Sequence, residues 1–216
     1  MKRLFAMLLA LCCLAGLAGC GREQEDPYAG AANPIATITM EDGSVMRFEL
    51  MLSAAPNTVA NFAALANDGF YDGLEFFRVV PGVLIQAGDP NNDGTGGAGH
   101  TIAGEFSENG FENDLSHLRG VISMARRSDY DSASSQFFIM QGNYPEYDGS
   151  YAAFGTALDE ETLETIDRIA RQPVDGSYLP LTRQVIRSIR VETHGLELTP
   201  VTVPEETAAP EATAAP

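Results

Sequence analysis

The sequence predicts a mainly β fold in one domain of roughly 165 residues, an ordinary size for a single domain. Short runs of alternating apolar and polar residues recur along the chain, and turn residues such as Glu41-Asp42-Gly43 separate them. Two segments have the spacing of an amphipathic helix. Eight short strands with two helices are typical of a barrel or a sandwich, and periodicity alone does not choose between the two.

The first two strands form a predicted hairpin. Apolar residues occupy every second position from Ala36 to Met40 and again from Met46 to Leu50, on either side of the Glu41-Asp42-Gly43 turn. The remaining strands are shorter runs rich in β-branched and aromatic residues. The eight predicted strands cover residues 36–40, 45–50, 75–80, 83–87, 121–125, 136–141, 152–157 and 183–192.

Two helices interrupt the strands. Pro56 suits the first helical position of one, apolar residues then recur at helical spacing, and Gly69 suits its end. The second helix has Asp159 as its N-cap and two glutamates in its first turn, where the helix dipole favours negative charge. Pro173 follows that helix, so we expect it to end before this residue.

Two polar side chains stand out in the segment from Phe76 to Asp89. Arg78 and Gln86 each lie in an apolar, strand-like run on either side of a Pro-Gly turn. Burying an arginine among Phe and Val is costly unless a partner is present. Polar groups at the edge of an apolar surface are what a binding or catalytic site needs to orient its ligand.

The N-terminus reads as an export signal. Lys2 and Arg3 precede an apolar run that is too short to span a membrane, and small residues lead up to Cys20. The ending Leu-Ala-Gly-Cys resembles a bacterial lipobox, so we expect residues 1–20 to be a signal peptide and Cys20 to be lipidated. An ordinary signal peptide that is cut nearby is the alternative. We therefore expect an exported protein that is anchored to the cell membrane by lipid and faces outside the cytoplasm.

Charge and cysteine content exclude several classes of partner and fold. The formal net charge is −17, which argues against nucleic acid as a partner. The cysteines all lie within residues 1–20, so the domain has no disulfide even though export would permit one. Nothing in the sequence demands an oligomer, and we expect a monomer.

The chain divides into four predicted segments. Residues 1–20 are the signal peptide, residues 21–33 a polar tether, and residues 34–198 the folded domain. Residues 199–216 are rich in Pro, Ala, Thr and Glu and are predicted to be disordered.

A long glycine-rich loop runs from Asp89 to Asn113, and loops of this length are usually functional or mobile. Its start matches the first half of an EF-hand calcium loop. The twelfth position is His100, where a bidentate Glu is required, so we predict no calcium site. The glycines from Gly94 to Gly99 lack the Lys of a phosphate-binding loop. The three histidines are too scattered to indicate a metal site.

Five ordered motifs between residues 76 and 155 give the sequence a family resemblance, and the match covers about residues 34–192. They are FFRVVPGVLIQAGD, GTGG, GVISMAR, SSQFFIM and YDGSYAAFG. With these motifs the chain resembles a cyclophilin, a peptidyl-prolyl cis-trans isomerase. The resemblance implies a closed eight-stranded antiparallel β-barrel capped by two α-helices, with its site in a groove on the outside of the barrel.

The resemblance also implies residue roles. Arg78 corresponds to the catalytic arginine and Gln86 to the glutamine that holds the substrate backbone. Phe138 corresponds to the floor of the proline pocket. The remaining implied substrate-binding positions are Val83, Leu84, Ala125, Arg126, Gln136, Tyr147, Tyr151 and Gly94.

The sequence departs from the family pattern at several of these positions. Val83 is smaller than the usual aromatic residue, which predicts a shallower pocket. Glu146 and Tyr147 stand where the best-known eukaryotic members have Trp-Leu, so we expect weak cyclosporin binding. Arg126 replaces a common asparagine, and the preference for residues next to proline is therefore open.

The chemistry implied by the resemblance needs no nucleophile, metal or cofactor. Rotation about an amide meets a barrier of about 18–20 kcal/mol because resonance stiffens the C–N bond. The enzyme has only to bind the twisted amide better than either planar form, in proline-containing polypeptides. Two alternatives remain: a non-catalytic surface chaperone or adhesin that binds proline-containing peptides, and a structural envelope protein that acts through its tail.

Overall fold

A computed structural model describes residue 28 and residues 30–204, and these form a curled antiparallel sheet with two helices. The predicted signal peptide, Cys20, most of the predicted tether and residues 205–216 lie outside the described residues. Within the described part, no helix has the length and apolar character that crossing a bilayer requires.

The elements follow the predicted order with shifted ends. Both helices are confirmed, and each predicted strand is present, although most begin or end one to three residues inside the predicted range. The strands are β1 (Ile35–Met40), β2 (Val45–Leu50), β3 (Arg78–Val80), β4 (Leu84–Ala87), β5 (His100–Thr101), β6 (Val121–Met124), β7 (Phe137–Met140), β8 (Ala153–Ala157), β9 (Ile186–Glu192) and β10 (Val203–Pro204). The helices are α1 (Pro56–Asn67) and α2 (Glu160–Ala170), and 3₁₀ turns cover Ser107–Asn109 and Pro145–Tyr147.

Eight strands pair in the order β3-β4-β7-β6-β8-β2-β1-β9. The predicted closed barrel goes beyond what the described residues show, since their strand pairing does not join β3 to β9. Between β9 and the chain leading into β3, the contact is one isolated bridge, Glu75 to Val185, with a few backbone bonds beside it. The sheet is therefore described as curled, and the continuous ladder is open between its two ends.

Strand alternation sends side chains to two different layers. Val79, Ile85, Phe137 and Ile139 face inward and pack in the main core, which fills the inside of the curled sheet. Their neighbours in sequence face outward. There, a second cluster, called the outer cluster below, forms on the far side of the same strands. It consists of Leu84, Val121, Ala125, Phe138, Met140 and Ala153.

Local sequence accounts for the helix ends and the first hairpin. Asp159 accepts a hydrogen bond from the backbone N–H of Thr162 at 2.8 Å, as an N-cap should. Asn67 is the last helical residue of α1, and Gly69 follows with φ of 78°, a conformation that glycine adopts easily. β1 and β2 pair around the turn that contains Gly43.

The C-terminal segment differs from the predicted disorder. Residues 199–204 are described, and β10 pairs with β5, a strand inside the long glycine-rich loop that the periodicity did not predict. The side chain of Asn57 exchanges two hydrogen bonds with the backbone of Val201, at 2.7 and 3.1 Å. These partners lie far away in sequence, which explains why composition alone pointed to a disordered tail.

Candidate active site

Arg78 and Gln86 lie directly opposite each other on β3 and β4. The turn between these strands sets the register, so the two residues are cross-strand partners. Arg78 Nη1 donates to Gln86 Oε1 at 3.1 Å. The two polar residues that stood out in the sequence therefore form one unit on the outer face of the sheet.

The same register extends this unit across two further strands. Gln86 lies opposite Phe138 on β7, and Phe138 lies opposite Ser123 on β6. Four side chains thus form one row, from the exposed edge of the site at Arg78 to the buried Ser123. The row places a guanidinium, an amide and an aromatic ring side by side, which is a suitable arrangement for a peptide with a proline.

Gln136 ties the row to the glycine-rich loop. Its Oε1 accepts from Gln86 Nε2 at 2.9 Å, and its Nε2 donates to the carbonyls of Gly94 and Gly96 at 3.2 and 2.9 Å. Gly94 has φ of 91°, which only glycine adopts without strain, and the carboxylate of Asp89 accepts its N–H. The amide of Gln86 is therefore held in one orientation, with its oxygen towards Arg78.

The floor of the site is apolar and aromatic. Val83, Tyr147 and Tyr151 are partly buried residues that pack against the outer cluster. Leu84 and Phe138 themselves are 0% exposed, and Ala125 is 1% exposed. The structure thus brings the predicted pocket residues together. The surface that a ligand can reach belongs to Val83 and the tyrosines, with Phe138 behind them.

A buried histidine supports Phe138 from below. The His117 ring is stacked on the Phe138 ring, with centroids 5.9 Å apart and planes inclined by 17°. Its Nδ1 is 2.8 Å from an Asp148 oxygen and its Nε2 is 3.0 Å from Ser123 Oγ. Burial lowers the pKa of His117, and Asp148 opposes this shift only in part. The neutral ring, with Nδ1–H donating to Asp148, satisfies both contacts.

Three tyrosines influence the charge of Arg78. Burial lowers the pKa of Arg78, and Tyr147, Tyr178 and Tyr151 partly offset this. Burial raises the pKa of both Tyr147 and Tyr151, although Arg78 works against the rise. The phenols of Tyr147 and Tyr151 therefore stay neutral at physiological pH. Arg78 stays charged because an ordinary arginine titrates above about 12.

The Arg126 side chain lies against three aromatic rings. Its guanidinium lies about 5 Å from the ring centroids of Phe106, Tyr130 and Tyr151, at 5.1, 4.9 and 5.0 Å. Its Nε also donates to the carbonyl of Ser150 at 2.9 Å. In this arrangement the Arg126 side chain braces the loop and the ring of Tyr151, and the expectation that it binds peptide stays a prediction.

Three residues near the site were missed by the reasoning from sequence. Ser123 could have been found, since it is a hydroxyl at an outward position of an otherwise apolar strand. His117 and Tyr178 lie in loops without periodicity, so no local pattern marks their contact with the row. Among the residues the structure describes, there is no group of three or more side chains that could hold a metal ion.

Comparison with known proteins agrees with this geometry. Residues 35–191 match the family model for "Cyclophilin type peptidyl-prolyl cis-trans isomerase/CLD". A peptidyl-prolyl cis-trans isomerase of Synechococcus elongatus is 43% identical over 131 residues, which are 61% of this chain and 85% of that protein. One from Helicobacter pylori is 40% identical over 149 residues, covering 69% of this chain and 88% of the relative.

A solved structure shares the fold. The crystal structure of a cyclophilin type peptidyl-prolyl cis-trans isomerase from Cryptosporidium parvum superposes with a TM-score of 0.66 at 31% sequence identity, covering 74% of this chain and 98% of that one. A second structure of that protein was determined in the presence of the dipeptide Ala-Pro. It has a TM-score of 0.65 at 32% identity and covers 73% of this chain and 98% of that one.

Proposed function

The chain belongs to the cyclophilin-type peptidyl-prolyl cis-trans isomerases, and we propose that it catalyses rotation of Xaa-Pro bonds in exported polypeptides through Arg78 and Gln86. The observation that carries the proposal is the cross-strand pair itself, since Arg78 donates to Gln86 at 3.1 Å beside an aromatic floor. This pair gives a site for proline peptides a fixed cation.

Arg78 acts on the twisted amide. When the Xaa-Pro bond rotates out of plane, the prolyl nitrogen loses conjugation and becomes a better hydrogen-bond acceptor. A guanidinium aimed at that nitrogen gains strength only in the twisted state, which is the requirement for catalysis. Half-burial of Arg78 strengthens the interaction, because less water screens it.

Gln86 and the apolar floor hold the two sides of the rotating bond. The Gln86 amide is oriented by Gln136 and can bind the backbone beside the proline. Val83, Tyr147 and Tyr151 offer the accessible apolar surface for the proline ring. Contact with the fully buried Phe138 requires a shift of a neighbouring ring.

The test is an isomerase assay on the full mature chain with a short Xaa-Pro peptide. We expect Arg78→Ala to lower kcat/KM by about 100-fold or more, as removal of one charged donor does elsewhere. Arg78→Lys should restore little, because an ammonium lacks the planar fork. Arg187→Ala, at an exposed residue of β9, is the matched control. Equal rates for wild type and Arg78→Ala would refute the proposal.

Peptide binding without turnover is the second candidate. The complete burial of Leu84 and Phe138 favours it, since the proline ring would then rest on a shallow surface and be held less tightly in the twisted state. NMR exchange spectroscopy separates the two functions. A peptide that binds while its cis and trans signals exchange no faster than in buffer would establish the second candidate.

We further propose that residues 1–20 direct export and that Cys20 carries a lipid anchor. The basic residues, apolar run and lipobox-like ending of the sequence support this. Labelling cells with a fatty-acid analogue should mark the wild type and the control Cys12→Ser, and Cys20→Ser should lose both the label and membrane attachment. A labelled Cys20→Ser protein would refute the anchor.

Closure of the barrel and the oligomeric state are also proposals. We infer a barrel that closes between β9 and the chain before β3, and the bridge between Glu75 and Val185 supports this. We also infer a monomer. Amide hydrogen exchange at Phe76, whose N–H bonds to Gln184 O, tests the closure, because rapid exchange would place this N–H outside a ladder.

A further inference from the structure

A tight loop beside the site, the tip loop (residues 173–181), is built by backbone and carboxylate bonds. Val174 and Pro180 form an isolated bridge, and Asp175 N donates to Leu179 O at 3.0 Å. The Asp175 carboxylate accepts from Ser177 N at 2.8 Å and from Leu179 N at 3.0 Å. These bonds fix the conformation of the loop, and none of them involves the ring of Tyr178 at the tip.

That residue, Tyr178, is held in a strained conformation. Its φ is 66°, in the left-handed region that a bulky side chain rarely occupies. Strain of this kind persists where surrounding structure enforces it, and it occurs often at binding sites. Here the Tyr178 carbonyl accepts the N–H of Val79 at 2.8 Å, so the tip is fastened to the strand that carries Arg78.

The tip loop exposes apolar surface next to the catalytic strand. Tyr178 is 46% exposed, Leu179 42% and Leu181 70%. The tip loop thus presents one aromatic ring and two leucine side chains to solvent. Exposed apolar side chains at the edge of a polar site are typical of a place where a partner docks.

Electrostatics agree with this position. The Tyr178 hydroxyl is close enough to the Arg78 guanidinium to oppose the lowering of its pKa by burial. The nearby Arg183 is paired with Glu75 at 2.6 Å, so its charge is compensated. The tip loop therefore offers a polypeptide in the groove an apolar contact on the Arg78 side.

We propose that Tyr178, with Leu181, forms a subsite that selects substrates with an apolar side chain close to the proline. The proposal rests on the proposed isomerase function and names the substrate class of that site. The polypeptide in the groove passes Arg78, and the backbone bond to Val79 places Tyr178 beside that strand, where its exposed side chain can contact the flanking residue. Leu181 extends the apolar surface.

The test compares two variants of the full mature chain on matched peptides. Each peptide has one proline and otherwise alanine, with Leu or Glu introduced at one of the two positions on either side. Tyr178→Gly should lower kcat/KM for at least one Leu position by about fivefold, as loss of a half-exposed apolar contact does. For the all-alanine peptide kcat/KM should change less than twofold. Tyr178→Phe should keep the Leu preference.

Controls separate the subsite from folding and from the proposed catalysis. Tyr178 has φ of 66°, which glycine adopts without strain, so Tyr178→Gly should melt no lower than wild type. Leu158→Ala, at another exposed leucine, should leave the Leu preference unchanged. Equal losses for all peptides, or no loss for any, would overturn the subsite. If wild type turns over no peptide, the isomerase proposal fails, and calorimetric titration of the same peptides still decides whether Tyr178 favours Leu.

Discussion

His117 and Phe138 are stacked with their ring planes only 17° apart, although 21 positions separate them in the chain. The contact joins a loop to the middle strand of the site. His117 also bonds Ser123 Oγ, whose strand position lies opposite Phe138. The Phe138 ring is therefore held on one side by a strand pairing and on the other by an imidazole.

This contact predicts a pH-dependent stability. Burial lowers the pKa of His117 in the folded protein below the ordinary value of about 6.5, whereas the unfolded chain keeps that value. Below pH of about 6.5 the unfolded state takes up a proton that the folded state does not. The contribution of His117 to the free energy of unfolding should be fully present above this pH. It should fall as the solution is acidified towards the pKa of His117 in the folded protein.

Urea unfolding between about pH 5 and pH 7.5 measures this effect. His117→Asn keeps a donor towards Asp148 but cannot titrate, so its free energy of unfolding should fall less over the same range. Comparing the two slopes cancels the contribution of the other histidines. Parallel slopes for the wild type and His117→Asn would show that His117 is not the group responsible.

Replacing Gln86 should lower both the activity and the stability of the protein. Gln86→Leu removes the Gln86 oxygen that accepts from Arg78 and the Gln86 amide N–H that donates to the buried Gln136 oxygen. Loss of a partner at a buried polar group costs about 1–3 kcal/mol, and the guanidinium loses one of the contacts that orient it. We expect kcat/KM to fall roughly tenfold or more, with lower stability in urea.

Gln86→Glu distinguishes orientation from charge. A glutamate still accepts from Arg78 but turns an acceptor towards the oxygen of Gln136, and it neutralises the cation. We expect kcat/KM to fall at least as far as in Gln86→Leu, measured on the same Xaa-Pro peptide. Activity near that of wild type would mean that the Gln86 amide is not needed to hold the substrate backbone.

Replacing Arg126 should lower the stability of the fold more than it lowers catalysis. Its guanidinium lies over three aromatic rings and bonds a backbone carbonyl, so Arg126→Ala removes several half-buried contacts at once. Contacts of this kind give about 0.5–2 kcal/mol each. We expect the free energy of unfolding to fall by about 2 kcal/mol, as measured in urea, against no change for the exposed control Arg171→Ala.

The catalytic readout tells whether Arg126 also touches the substrate. The bracing role predicts that kcat/KM on an Ala-Pro peptide falls only a few-fold, through movement of the Tyr151 ring. A loss as large as that of Arg78→Ala, with unchanged stability, would contradict bracing and would place the Arg126 side chain in the groove.

Strand periodicity was sufficient to place Arg78, Gln86 and Phe138. Alternation assigns each residue to one face of a strand, and Phe137 and Phe138 lie on opposite faces of β7. The motifs then indicated which outward residues carry function. The exact strand ends were not predictable, because they depend on where a partner strand begins.

The sequence by itself determined the two helices, eight of the ten strands among the described residues, the family, and the two polar side chains of the site, because these depend on neighbours along the chain. The tertiary structure alone decided that Arg126 turns onto aromatic rings, that His117 lies under Phe138, and that Tyr178 is fastened beside Arg78. Such contacts join loops that have no period of their own. Their geometry is set by packing and by backbone bonds between segments distant in sequence, which no local pattern records.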